Sequence, residues 1–340
     1  MSPLAKTLEI RTSPHVLSGH AVDTIMFNVV LALLPASAFA VWAFGLAGLL
    51  TLTVAVLSCV ATEWWMCRLS RRVSTVADWS AVITGLLYGL TLPPTLPLWM
   101  TALGGFLAIA AGKWLFGGLG YNAFNPALVG RALLQASFPV AMTTWSAGFL
   151  PDRFRAVPAV LWTPPFLEPV LDATTGATPL AAWKFERVAA SARDLAFGFT
   201  SGSTGETSAL LILFGGAYLV ARNMMNWRIP VALLLTVGAI SGVLHAVDPT
   251  RYASAPFMLL AGGLALGATF MATDMVASPM TSLGCVIYGV LIGALVIVIR
   301  TWGGMPEGVM YAILLGNAVS PQIDALIRPR VYGTRRARTS

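Results

Sequence analysis

Charge is scarce in this chain. Asp, Glu, Lys and Arg make up 10% of its 340 residues, against about 25% in an ordinary soluble domain. With 57% hydrophobic residues and a mean hydropathy of +0.77, that deficit excludes a typical soluble domain and points to a polytopic membrane protein. Cysteine is scarce too. Cys59, Cys67 and Cys285 form no C-x-x-C and no C-x-x-C-H, so no cysteine signature for an iron–sulfur cluster, zinc or c-type haem is present. No G-x-G-x-x-G unit follows a strand-like run, and NAD is expected to bind elsewhere than on this chain. The net charge of +7 is not clustered with interleaved aromatics, so no nucleic-acid partner is expected. The basic residues sit instead at the ends of apolar runs, which suits membrane orientation. The N-terminus, MSPLAKTLEIRTSPH, is polar and lacks the apolar core and cleavage site of a removable signal peptide.

What is present is a series of apolar runs. A helix needs about 20 mainly apolar residues to cross a bilayer. Ten segments qualify, with loose ends: 24–44, 47–67, 79–94, 97–115, 125–141, 208–223, 229–247, 255–273, 282–300 and 307–325. Arg131 and Gln135 interrupt the fifth, which is expected to be buried by its neighbours. Ten spans put both termini on one side. That side carries Lys6, Arg11, Arg68, Arg71, Arg72, Lys113, Arg131, Arg222, Arg228 and the tail RPRVYGTRR. It is therefore read as cytoplasmic. The domain plan is a five-helix half over 1–141, a long extracytoplasmic loop over 142–207, a second five-helix half over 208–327, and a basic cytoplasmic tail over 328–340. Arg300 falls on the wrong side of this scheme.

A weak internal echo supports two halves. MTALG at 100–104 recurs as MTSLG at 280–284. Each copy follows a proline-broken stretch, LTLPPTLPLW or TDMVASP, and precedes a Gly-Gly exit. Five helices per half force opposite orientations, the inverted-repeat plan that places sites at interrupted helices. Chance similarity in biased membrane sequence is the plainer alternative.

Four motifs stand out. In GYNAFNPALVGRA (120–132), Asn122 and Asn125 would share a helical face, and Asn125-Pro126 makes a natural helix start. Pattern alone leaves open a capped, broken helix or a polar pair facing a buried planar cofactor. SGSTGETSALL (201–211) reads as a flexible approach and a helix cap that includes Glu206. In FMATDMVASPM (270–280), Asp274 interrupts two apolar runs. It is either a membrane-embedded functional carboxylate or a surface cap. TTGATPL (174–180) is a hydroxyl-rich loop. No neighbouring His or Cys activates Thr178, which argues against a hydrolase. Glu63, in the second span beside Trp64 and Trp65, is a candidate ion-pathway carboxylate. Its plainer role is interfacial.

Taken together and in this order, GYNAFNPALVGRA, the A-T-P-L loop, GETSALLILFGG and FMATDMVASP resemble the D subunit of the Rnf ion-translocating electron transport complex. They are also similar to its homologue, the B subunit of the sodium-pumping NADH:quinone reductase. The resemblance covers residues 20 to 328. It implies FMN joined by a phosphoester to Thr178 through a dedicated flavin transferase acting outside the cytoplasm. It implies a second, non-covalent flavin, riboflavin, within the membrane part, with Asn122 and Asn125 matching the family's asparagine pair. It implies an all-α fold of two inverted five-helix repeats, in the bacterial inner membrane, assembled with the A, B, C, E and G subunits of the Rnf complex. The expected role is electron carriage coupled to Na⁺ or H⁺ movement, with Asp274 and Glu63 as candidate ion-pathway residues. The alternatives are the quinone-reductase homologue and a channel or transporter without redox chemistry.

Overall fold

A computed structural model of the chain describes residues 22–71, 74–165, 167, 176–205 and 208–328. Lys6, Arg11, Arg72, Thr174, Thr175, Glu206 and the tail arginines from Arg330 onward lie outside the described residues. Among those described, regular structure is helical and no strand forms. The protein is an all-α, multi-pass membrane protein.

The first helix, α1 (Val22–Leu69), is a hairpin with its turn at Gly45 (φ 64°, ψ −137°). Ile25 and Lys113 line the same cleft, and Lys113 Nζ donates to Glu63 Oε1 at 2.9 Å. In a straight helix Ile25 and Glu63 would stand about 57 Å apart, so the two arms run antiparallel. A Cβ at Gly45 would collide with the Arg153 carbonyl, and the positive φ also favours glycine. The backbone groups freed at the turn are taken by the long central segment. Leu46 N donates to Arg153 O at 2.9 Å and Phe149 N to Ala43 O at 2.8 Å.

Next comes α2 (Ser80–Leu90), whose residues are all buried except Val82. Eleven residues rise about 16 Å, half of a membrane core. The expected span 79–94 is therefore shorter than read. Pro93, Pro94 and Pro97 end α2 and enforce an irregular link to α3 (Leu98–Ala110). The open end of α2 is closed from far along the chain. Thr204 Oγ1 donates to Gly89 O at 2.6 Å, and Gly205 N to Leu90 O. Within the stretch read as a flexible approach, residues 202–205 are thus buried and plug this end. Its Ser208 does cap the following helix, as expected.

Then follow α4 (Pro126–Ser137), α5 (Ala209–Ala221), α6 (Arg228–Val247), α7 (Ala255–Leu260), α8 (Ser282–Trp302) and α9 (Val309–Leu326). The expected span 255–273 is broken. After α7 the chain turns at Gly262 (φ 70°) and resumes as Leu264–Leu266 leading into a π-turn at Gly267–Met271. The expected spans 125–141 and 208–223 are also shorter than read. Among the described residues, four helices are long and apolar enough to cross a membrane: Val22–Leu69, Leu98–Phe116, Arg228–Val247 and Ser282–Trp302. The short helices survive because they are surrounded by protein, where irregular backbone finds partners. Small residues allow the close approach. Gly85 of α2 lies against Val56 of α1, and Gly289 of α8 against Ala232 of α6.

The described residues of the long central segment are folded onto the rest of the protein. Leu161, Leu180 and Leu195 are buried. Lys184 Nζ donates to three carbonyls at the end of α8: Arg300 O (3.0 Å), Gly303 O (2.5 Å) and Met305 O (2.9 Å). Burial pulls the Lys184 pKa down, while the three acceptors favour its charged form.

Candidate functional site

Two cavities collect the residues that the motifs single out. The first is built around Thr178. Its backbone is extended (φ −68°, ψ 153°), and it caps the short Pro179–Ala181 turn. Its Oγ1 accepts from Ala181 N at 3.2 Å, as expected of a Thr before proline at a helix start. Gly176 N donates to Trp145 O at 2.9 Å, buried Leu180 anchors the turn, and Lys184 ties it to α8. Thr178 is therefore 7% exposed and faces a cavity of about 340 Å³. Gly176 and Ala177 continue its wall. Trp145 and Phe185 add aromatic surface, and Arg131 and Glu307 are the charged groups.

The structure removes the difficulty at Arg300. Its guanidinium is buried and donates to Met258 O at 2.7 Å and Ala261 O at 2.9 Å, the carbonyls exposed where α7 breaks. It also pairs with Glu307 at 3.2 Å. Arg300 thus closes a broken helix. Arg131, counted from the sequence with the cytoplasmic cations, lies instead on the wall of the Thr178 cavity.

The second cavity, about 130 Å³, holds Asn122, Asn125 and Asp274 together with Lys113. Asn125 caps α4, its Oδ1 accepting from Ala127 N at 3.0 Å, while its Nδ2 donates to Met271 O at 3.3 Å. Asn122 Nδ2 donates to Asp274 Oδ2 at 3.3 Å. The two asparagines do not share a helical face: Asn122 lies in the turn before α4 and Asn125 at its cap. They are brought together by two separate bonds, one to Met271 at the end of the π-turn and one to Asp274 in the break that follows it. Asp274 is half-buried and lines this cleft, and its Oδ1 also accepts from Val276 N at 3.1 Å.

Glu63 departs from the interfacial reading. Trp64 and Trp65 are exposed, but Glu63 is 1% exposed. Its Oε1 accepts from Lys113 at 2.9 Å and from the Thr75 hydroxyl, and its Oε2 from Trp114 Nε1 at 3.2 Å. Lys113 also donates to Ser80 Oγ at 2.8 Å. Sequence reading missed this pair because its members stand 50 residues apart. The available signal was a lone Lys and a lone Glu, each inside an apolar run.

The cavities lie toward opposite ends of the molecule. Ile25, near the start of α1, lines the asparagine cleft. Trp145, on the Thr178 wall, also lines a hollow formed by Phe44 and Ala47 at the α1 turn.

Comparison with known proteins assigns the family. The model of the NQR2, RnfD, RnfE family matches residues 9–333. The chain belongs to that family. It is 41% identical over 337 residues to the D subunit of the proton-translocating ferredoxin:NAD(+) oxidoreductase complex of Clostridium ljungdahlii, covering 96% of each chain. It is likewise 41% identical over 330 residues to the D subunit of the Na(+)-translocating ferredoxin:NAD(+) oxidoreductase complex of Acetobacterium woodii, covering 96% of this chain and 95% of that one. The D subunit of the ion-translocating oxidoreductase complex of Stutzerimonas stutzeri is 41% identical, covering 92% of each.

Proposed function

We propose that this chain is the flavin-carrying membrane D subunit of an Rnf-type complex, which couples electron exchange between ferredoxin and NAD to Na⁺ or H⁺ translocation. Its partners in this reading are the A, B, C, E and G subunits of that complex, a flavin transferase during maturation, and the inner-membrane lipid. The observation that carries the reading is the place of Thr178: a hydroxyl on a fixed turn, facing a cavity with small neighbours and a buried arginine. An identity of 41% over nearly the full length to relatives named as D subunits favours the Rnf assignment over the quinone-reductase homologue. The two ion names among equally similar relatives leave the ion itself unassigned.

Thr178 Oγ1 would hold FMN through a phosphoester, with Gly176 and Ala177 giving access for the transferase. Asn122 and Asn125 would present amide groups to riboflavin at the asparagine cleft, near the Asp274 carboxylate and the Lys113–Glu63 pair. Bound flavins supply one- and two-electron transfer; the protein supplies position and electrostatics. The arms of α1, the proline break after α2 and the packing of α3 on α1 have counterparts in α5, α6, the break after α7 and the packing of α8 on α6. These correspondences support two inverted five-helix repeats. The cleft end, near Arg68, Lys113, Arg222 and Arg228, would face the cytoplasm with both termini, and the Thr178 end would face outward.

The test is to purify the chain made with its flavin transferase, view a denaturing gel under ultraviolet light, and map the adduct by mass spectrometry. A fluorescent band with FMN on Thr178, absent from Thr178→Val, supports the reading. A dark band with unmodified Thr178 sinks it and leaves a channel or transporter as the better account.

A further inference from the structure

Arg131 is a buried charge without a counter-charge among the described residues. It lies on α4 and is 6% exposed. Its Nε has no hydrogen-bond partner there. The ion pairs Lys113–Glu63 and Arg300–Glu307 do not include it. The one carboxylate on the shared wall is already occupied. Glu307 Oε1 accepts from Arg300 and from Val309 N, and Oε2 from Gly263 N. A buried, unpaired guanidinium is costly, and buried polar groups without partners call for an explanation. Arg131 lines the cavity that Thr178 faces. Its position is fixed, because a Cβ on the preceding Gly130 would meet Gly104 O of α3 at 2.7 Å. The helix is thus seated tightly and cannot carry the side chain away.

We propose that Arg131 binds the phosphoryl group of the flavin held on Thr178. The proposal rests on the flavinylation reading above. A phosphoester joining Thr178 Oγ1 to FMN is a diester and keeps one ionised oxygen. That is a single buried anion, in a cavity whose own cation lacks a counter-charge. The planar fork of arginine suits phosphate oxygens. Arg131 is a positioning residue: it holds the attached group against the α4 wall and takes no part in electron transfer.

The test uses the full chain in the intact complex, prepared with and without the transferase. Mass spectrometry of the Thr178 peptide gives the extent of attachment before any other measurement. Thermal unfolding then reads what attachment does to stability in wild type, Arg131→Met and Arg131→Lys. Wild type is expected to gain melting temperature on flavinylation. Arg131→Met is expected to lose most of that gain, and when unmodified to melt at or above unmodified wild type, since it removes an unpaired buried charge. Arg131→Lys should keep part of the gain. Iodide should quench the attached flavin more strongly in Arg131→Met. An equal gain in wild type and Arg131→Met, with equal quenching, overturns the proposal. So does a loss of stability in Arg131→Met that is the same with and without flavin, which marks a purely structural role. If Arg131→Met does not fold, the same comparison within Arg131→Lys decides, an undiminished gain counting against the proposal. An unmodified Thr178 in wild type removes the flavin reading itself, and the proposal with it.

Discussion

Asn125 and Arg131 stand on the same helix, at the cap and the second turn of α4. One lines the asparagine cleft and the other the Thr178 cavity. Six residues of helix separate them by about 9 Å along the axis. One rigid element therefore sets the spacing of the two candidate sites, and what disturbs its cap is felt at both.

Asn125→Ala should cost about 1 kcal/mol through loss of the cap, with a further loss from the broken bond to Met271. Asn125→Asp keeps the capping oxygen and loses the donor. Both variants are expected to lower the yield of non-covalent flavin in purified complex, measured by acid extraction. Full retention in both would show that the asparagine side chain does not hold it.

Breaking the Lys113–Glu63 pair should be more damaging. Both groups are almost fully buried, and removing one partner of such a pair costs about 3–5 kcal/mol. Glu63→Gln and Lys113→Met should each lower the melting temperature sharply, while the double variant should recover part of the loss. A double variant as unstable as the sum of the singles would mean that the two side chains act independently.

The α1 turn offers a stringent test of backbone geometry. Gly45→Ala places a Cβ against the Arg153 carbonyl in a positive-φ conformation (φ 64°, ψ −137°) that costs about 1–3 kcal/mol before any clash. Folded yield in detergent, judged by gel filtration, should fall well below wild type. A normal yield would show that the 149–153 segment can withdraw without penalty.

At Thr178 itself, Thr178→Ser keeps both the cap and the hydroxyl, whereas Thr178→Val loses both. The serine variant should melt close to unmodified wild type, and the valine variant lower by about 1 kcal/mol of stability, compared without the transferase. Equal melting of all three would mean that the cap contributes nothing.

Legibility from sequence followed the physics of each signal. The spans at 24–44, 47–67 and 282–300 were readable because they are long and uninterrupted. The Asn125-Pro126 start was readable because capping is local. The brevity of α2 and the break after α7 were not, since a buried half-helix has the same apolar composition as part of a span. Sequence predicted the burial of Arg131, but not that it shares a cavity with Thr178. Nor could it show that Asp274 meets Asn122, since those partners are 152 residues apart. Arg300 looked like an exception only because its acceptors, the carbonyls of a broken helix, leave no trace in the sequence.

The Lys184 clasp also has a consequence in time. Its acceptor at Gly303 is synthesised 119 residues after Lys184, so the clasp cannot form until α8 is complete and inserted. Until then the turn bearing Thr178 lacks this tie and is held only by earlier parts of the chain, as where Gly176 N donates to Trp145 O. In the flavinylation reading proposed above, a transferase would meet the turn before this clasp is in place. Once α8 is in place, Lys184 holds the turn against the end of that helix.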